Sequence, residues 1–312
     1  MKDFFHPDFL NNRELMTVVY VIFGILIFAT VLFFVVGKLK PQANLTELKS
    51  RTRSWWIMAT LVLGAVLINN ILCYIALAFL SFMAFRELYS VLDFRESDRR
   101  AVFWGYLAIP VQYYLAYARW YGAFIIFIPV VMFLLLPLRL VLKGDTKGII
   151  KSMSSLQWML MLTVFGLSHM AYLLSLSDSK GKGMLLFLVF LTEINDVMQF
   201  TWGKLLGRHK IVPKVSPNKT WEGFLGGVIS TTIIGYLLGF LTPLTAQQVV
   251  FVSFFLACSG FIGDIVMSSV KRDIGIKDMG SSIPGHGGIL DRIDSLSYTA
   301  PIFFHLVYYL AF

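Results

Sequence analysis

The sequence predicts an all-α, polytopic integral membrane protein with about ten transmembrane helices and both termini on the non-cytoplasmic side. Three observations predict it. The 312-residue chain is 57% hydrophobic and 14% charged, where a soluble domain carries about 25% charged residues. Long apolar runs recur: neither 16–37 nor 121–138 holds a charged residue, and ~18 such residues suffice for a membrane helix. Lys and Arg also segregate between alternate loops.

Taken in order, spans are expected at 14–36, 54–69, 70–92, 101–117, 120–141, 156–177, 184–204, 222–242, 248–271 and 291–311. The first is too long for a signal-peptide core. It has no basic stretch before it and no small-x-small cleavage site, so it reads as helix one. The second and third meet at Asn69-Asn70, a very short connection. Pro110, Pro129 and Pro137 fall inside apolar segments, where neighbouring helices tolerate such breaks.

One set of alternate loops is dense in Lys and Arg: Lys38 to Arg53, Arg86 to Arg100, Arg139 to Lys151, Lys204 to Lys219, and Lys271 to Arg292. The opposite set holds Lys2, Arg13, Arg119, Lys180 and Lys182, of 27 in all. The positive-inside rule puts the dense set in the cytoplasm of the cell's inner or plasma membrane. The net charge of +9 is therefore mostly topology, with an affinity for anionic headgroups. No basic–aromatic module accompanies it, which excludes a nucleic-acid partner. Cys73 and Cys258 lie far apart in apolar segments and read as buried inert thiols.

Residues 1–183 read as N-terminal transmembrane helices with conventional loops, and 184–312 as the C-terminal catalytic region, which holds nearly all the unusual polar features. In the seventh span Glu193 and Asp196 sit three apart on one helical face. A structural hydrogen-bonded pair is the alternative; a site role is favoured because the helix ends in Gly203-Lys204 and runs directly into the next polar loop. The loop from Lys210 to Gly223 brings Ser216 and Lys219 to a helix start. Free backbone N–H groups and the dipole attract anions there, although Ser216 or Thr220 as an ordinary cap accounts for part of the pattern. In the ninth span Asp264, Ser268 and Lys271 share a face, and Asp291 and Asp294 open the tenth. If those spans pack side by side, Asp264 and Asp291 approach one another. Two carboxylates with oxygen-only chemistry suit Mg²⁺ bound together with substrate phosphates, and Lys271, Arg272, Lys277 and Arg292 would neutralise the phosphates. A pure ion-pair network is the alternative. His286, between glycines, fits either a catalytic base or a hydrogen-bonded turn.

At these residues the sequence resembles the CDP-diacylglycerol synthases, or phosphatidate cytidylyltransferases. Their signature is Ser, x, apolar, Lys-Arg, four residues, Lys-Asp, then Pro, x, His-Gly-Gly, two residues, Asp-Arg, apolar, Asp. Ser268 to Asp294 fits it at every fixed position. Gly263-Asp264 and Ser216-Pro217-Asn218-Lys219-Thr220-Trp221-Glu222-Gly223 also look like family motifs. The resemblance covers about the last 130 residues. It implies a transferase that condenses CTP with phosphatidic acid to give CDP-diacylglycerol and pyrophosphate.

On this reading Asp264, Lys271, Arg272 and Asp291 are catalytic, and Asp264, Asp291 and Asp294 hold Mg²⁺, with room for a second cation. Asp196, Ser216, Lys219, Ser268, Lys277, His286 and Arg292 bind substrate. The partners implied are CTP, phosphatidic acid or a related anionic lipid phosphate, and the bilayer; a homodimer stays open. One position departs from the family. Asp-x-x-Ala-Tyr is common there, and this chain has Asp196-Val197-Met198-Gln199-Phe200. The change bears on the acceptor lipid or on contacts to cytosine. It keeps open a CTP-dependent transferase or kinase acting on another lipid phosphate or a lipid alcohol.

Overall fold

The computed structural model describes residues 12–39, 46–282 and 287–312, with backbone alone for 46–48 and 51. Its helices are α1 (Arg13–Leu39), α2 (Thr46–Ile68), α3 (Asn70–Val91), α4 (Arg99–Tyr117) and α5 (Tyr121–Val141). They continue with α6 (Ile149–Leu176), α7 (Gly181–Leu206), α8 (Trp221–Leu237), α9 (Ala246–Asp273), α10 (Leu290–Ile293) and α11 (Leu296–Ala311). No strand forms among the described residues; one antiparallel bridge joins Lys210 to Thr220.

Six of these helices, α1, α3, α5, α6, α7 and α9, are long and apolar enough to cross a bilayer. The protein is a membrane protein built as an apolar helix bundle. Each of the ten expected spans overlaps a helix, although six helices have the length and apolarity of a span, and α2 and α6 begin ahead of the expected bounds. The span at 222–242 ends as α8 at Leu237, followed by a short turn at Gly239–Leu241. The span at 291–311 is split into α10 and α11 at Asp294-Ser295, where Asp294 accepts a hydrogen bond from the Ser295 amide at 2.8 Å.

Local chemistry sets the helix starts. Asn69 interrupts α2 and α3 by turning extended (φ −157°), and its side chain accepts from the Ile71 amide. Thr220 caps α8 by accepting from the Gly223 amide at 3.1 Å. Gln248 completes a capping box with Thr245 at the start of α9. Pro129 lies within a wide turn at Phe127–Met132 in α5, the kind of local adjustment that accommodates a missing donor.

The core runs along α6. In the most apolar window of α6, 83% of residues are buried, against 11% in α1. Hence α6 is the central post, and α1 gives its apolar surface to lipid. Phe85, Phe124, Phe187, Phe303 and Phe304 fill the interior.

Polar ties collect at the two ends of the bundle. At one end Lys180 pairs with Glu14 and donates to the Phe240 carbonyl, and Gln248 donates to the Leu310 carbonyl. At the other, the α3–α4 turn is fastened to the α5–α6 turn. The fully buried Asp98 accepts from the Arg95 guanidinium at 2.7 Å, the Arg95 amide at 3.0 Å and the Ser152 hydroxyl at 2.6 Å. Arg95 also donates to the Lys147 carbonyl, and Lys151 pairs with Asp93.

Burial alone would raise the Asp98 carboxyl. The hydrogen bonds from Arg95 and Ser152 outweigh it and hold the group below the usual aspartate range. A depressed native pKa stabilises the fold above the unfolded aspartate value, and that contribution fades as pH falls through the native value. Asp98→Asn is therefore expected to lower stability by about 1–3 kcal/mol near neutral pH, with the gap to wild type closing in acid. Thermal unfolding at neutral and strongly acidic pH checks this. A gap that persists unchanged in acid would rule out the charge as its cause.

Candidate functional site

The site lies where the C-terminal halves of α7 and α9 meet the start of α10. The crossing of α7 and α8 is set by glycines. A Cβ at Gly223 would lie 2.8 Å from the Gln199 carbonyl oxygen, and one at Gly227 would lie 3.1 Å from the Gln199 amide. Small residues four apart let two membrane helices approach to backbone contact. This approach carries Lys219, just ahead of α8, over the polar face of α7.

Lys219 forms an ion pair with Asp264 and donates to the Gln199 amide oxygen at 3.2 Å. Its ammonium lies 5.7 Å from the Phe261 ring centre. Burial works against the Lys219 charge. The carboxylate of Asp264, and then that of Asp196, outweighs it and holds the pKa above the ordinary lysine value. On α9, one turn along, Ser268 donates to the other Asp264 oxygen at 3.3 Å.

One turn further, Lys271 reaches α10. Its Nζ lies 2.9 Å from Asp291 Oδ1 and 3.6 Å from Asp294 Oδ2. Asp291 turns its second oxygen to the segment between α9 and α10, accepting from the Met279 amide at 2.8 Å and the Gly288 amide at 2.9 Å. Asp196 accepts from Ser295 through one oxygen; its other, Oδ1, is buried without a hydrogen-bond partner in the structure. Asp264 acts electrostatically on both Asp196 and Asp294, so these three carboxylates form one field with Lys219 and Lys271 as counter-charges.

Of the residues singled out in the sequence, Asp196, Lys219, Asp264, Ser268, Lys271, Asp291 and Asp294 come together. Arg272 fastens the end of α9, donating to the Val215 carbonyl at 3.4 Å and the Ile276 carbonyl at 3.2 Å. Arg292 acts electrostatically on Asp294 and Glu193. Ser216 contributes its carbonyl to the turn before α8, accepting from the Lys219 amide. Lys277 is exposed, and His286 lies outside the described residues.

Asp264 and Asp291, expected to approach one another, both act electrostatically on Lys271. Asp264 faces Lys219 and Ser268, while Asp291 faces Lys271 and two backbone amides. Sequence reasoning missed Glu87 of α3. It is buried and accepts from the Ser282 hydroxyl at 2.8 Å and the Leu290 amide at 2.7 Å. A signal was present: an acid within an expected span is costly unless it has a partner.

Among the described residues, no three Asp, Glu, His or Cys side chains converge as a ready cage for a metal. The donor set still fits a hard cation that needs one or two carboxylates and takes its other ligands from substrate phosphate and water. The unpartnered Asp196 oxygen beside Asp264 and Asp294 is such a donor.

An apolar helix bundle that gathers acids and part-buried lysines into one cluster defines a membrane protein with a charged site. Residues 49–310 match the model of the cytidylyltransferase family, and the chain belongs to that family. It is 41% identical over 293 residues to the uncharacterized Escherichia coli K12 protein YnbB, covering 92% of this chain and 96% of that one. It is 42% identical over 123 residues to a Mycobacterium leprae phosphatidate cytidylyltransferase, covering 39% of each chain. It is 37% identical over 139 residues to the Staphylococcus haemolyticus phosphatidate cytidylyltransferase, covering 44% of this chain and 53% of the relative. The chain thus aligns with about half or less of the named phosphatidate cytidylyltransferases.

Proposed function

We propose that the protein transfers the cytidylyl group of CTP to phosphatidic acid, releasing pyrophosphate and leaving CDP-diacylglycerol in the membrane. The observation that carries this reading is the alternation of lysines and carboxylates withdrawn from solvent, Lys219–Asp264 and Lys271–Asp291/Asp294, on three adjoining elements. An oxygen of the lipid phosphate attacks the α-phosphorus of CTP. The new P–O bond forms as the bond to the β-phosphate oxygen breaks, and pyrophosphate leaves. The acceptor is already an anion, so the protein needs no nucleophile of its own. Its work is positioning and charge neutralisation.

Lys219 and Lys271 are part-buried ammonium groups that exchange a carboxylate partner for phosphate when substrate enters. Asp264 and Asp294 would hold Mg²⁺ as expected, with Asp196, whose Oδ1 has no partner, in place of Asp291, whose two oxygens are taken by Lys271 and the Met279 and Gly288 amides; the ion supplies charge neutralisation at the phosphates when bound. Membership of the cytidylyltransferase family supports the nucleotide, and a bundle of apolar helices supports a lipid acceptor. The site faces the cytoplasm on this reading, where CTP is found.

A second reading keeps the nucleotide and changes the acceptor. It is favoured by Gln199, whose amide oxygen accepts from Lys219 and whose amide nitrogen is buried without a partner. Purified protein with labelled CTP, Mg²⁺ and phosphatidic acid separates the two. CDP-diacylglycerol plus pyrophosphate is the expected outcome. Product with another lipid phosphate alone would move the acceptor, and CDP with a newly phosphorylated lipid would make the protein a kinase.

A further inference from the structure

We propose that Glu87 is a positioning residue of this site, a latch from α3 that fixes both described flanks of the α9–α10 connection and so sets the direction of Asp291. The proposal deepens the function given above and rests on it for its kinetic consequence, but not for its structural one.

A carboxylate offers two acceptor oxygens, and Glu87 spends one on each flank. Oε1 takes the Ser282 hydroxyl and Oε2 the Leu290 amide. These partners lie 195 and 203 positions further along the chain, so the contact joins the first half of the protein to the region bearing the charged cluster. Leu290 directly precedes Asp291. Gly288, whose amide donates to Asp291, lies against the Glu87 carboxylate; a Cβ there would sit 2.5 Å from Glu87 Cδ. Gly280 presses on the same carboxylate. Glu87 and Asp291 therefore hold the same two flanks of the connection: Glu87 holds Ser282 and Leu290, and Asp291 holds Met279 and Gly288. An acid buried in an apolar helix is costly without donors, and here the donors are the connection itself. Releasing Glu87 frees Asp291 to turn from Lys271, which disturbs the cluster without removing any group from it.

Full-length protein in nanodiscs tests this by amide hydrogen exchange at 279–282 and 287–291, alongside kcat and KM for CTP. Glu87→Ala should speed exchange there about tenfold or more, the effect of leaving a buried donor unpaired, and lower kcat by a comparable factor. Glu87→Gln should stay near wild type in both readouts. Its amide oxygen can take the Leu290 N–H while its NH₂ donates to the Ser282 hydroxyl. Gly288→Ala should resemble Glu87→Ala in the wild-type background yet add little in the Glu87→Ala background, because both act on one contact.

Wild-type exchange in Glu87→Ala would overturn the latch. So would a Gln variant with wild-type exchange but the full kinetic loss, since that outcome makes the charge rather than the anchoring the essential property. If Glu87→Ala does not fold, Gly288→Ala and Ser282→Ala carry the same exchange test. A wild-type protein without cytidylyl transfer would sink the proposed reaction and leave the exchange result to decide the latch.

Discussion

Asp264→Asn is expected to lower CTP turnover by at least about a hundredfold while the protein folds and inserts normally; losing one preorganised electrostatic group at a phosphoryl-transfer site costs about that much. Asn matches Asp in size and keeps one acceptor oxygen, so the hydrogen bond from Ser268 can survive. The negative charge beside Lys219 does not survive. Lys219 retains Gln199 and the field of Asp196, so the fold keeps its local partners and the loss falls on kcat. A radiolabelled CTP assay on monodisperse protein checks it. A rate within about threefold of wild type, well short of the loss expected for such a group, would remove Asp264 from the chemistry.

Lys271→Met should produce the largest loss of stability at the site. The Lys271 side chain is 13% exposed, and its partners Asp291 and Asp294 are 2% and 12% exposed. Methionine keeps the length and drops the charge, leaving two buried carboxylates without their ammonium. Breaking a buried pair from one side costs about 3–5 kcal/mol, and activity should fall with it. Lys271→Arg, which retains a positive charge, should recover most of the stability and less of the activity, because a planar guanidinium does not reproduce a compact ammonium between two acids. Thermal unfolding in detergent reads the first effect and CTP turnover the second. An unchanged Tm in Lys271→Met would show that the acids do not depend on this partner.

The helices and much of the charged cluster were legible in the primary structure for a specific reason. Asp264, Ser268 and Lys271 share a face through spacings of four and three, and a single helix enforces that relation whatever packs against it. The same holds for the starts of α3 and α8, where Asn69 and Thr220 cap their own helices through local hydrogen bonds. Partners across the bundle were not legible. Spacing within α9 does not say that Lys219 meets Asp264, nor that Asp291 spends one oxygen on the amides of Met279 and Gly288. Glu87 was hidden more deeply, because its donors lie about two hundred residues away and three of the groups it meets, the Leu290 amide, Gly280 and Gly288, carry no side-chain signature.

By itself the chain determined that this is a bundle of apolar helices, because hydrocarbon leaves backbone polar groups no partner outside their own segment. It also determined that acids and bases gather at the ends of a few late helices, and their spacing carried the resemblance to a cytidylyltransferase. Only the tertiary structure decided which charge answers which. That choice depends on how closely helices cross, as at Gly223 and Gly227 against α7, and on a contact from α3 that no local pattern encodes. An ion pair is stronger in a medium of low polarity, so a crossing set by the absence of two side chains decides which partners Lys219 meets.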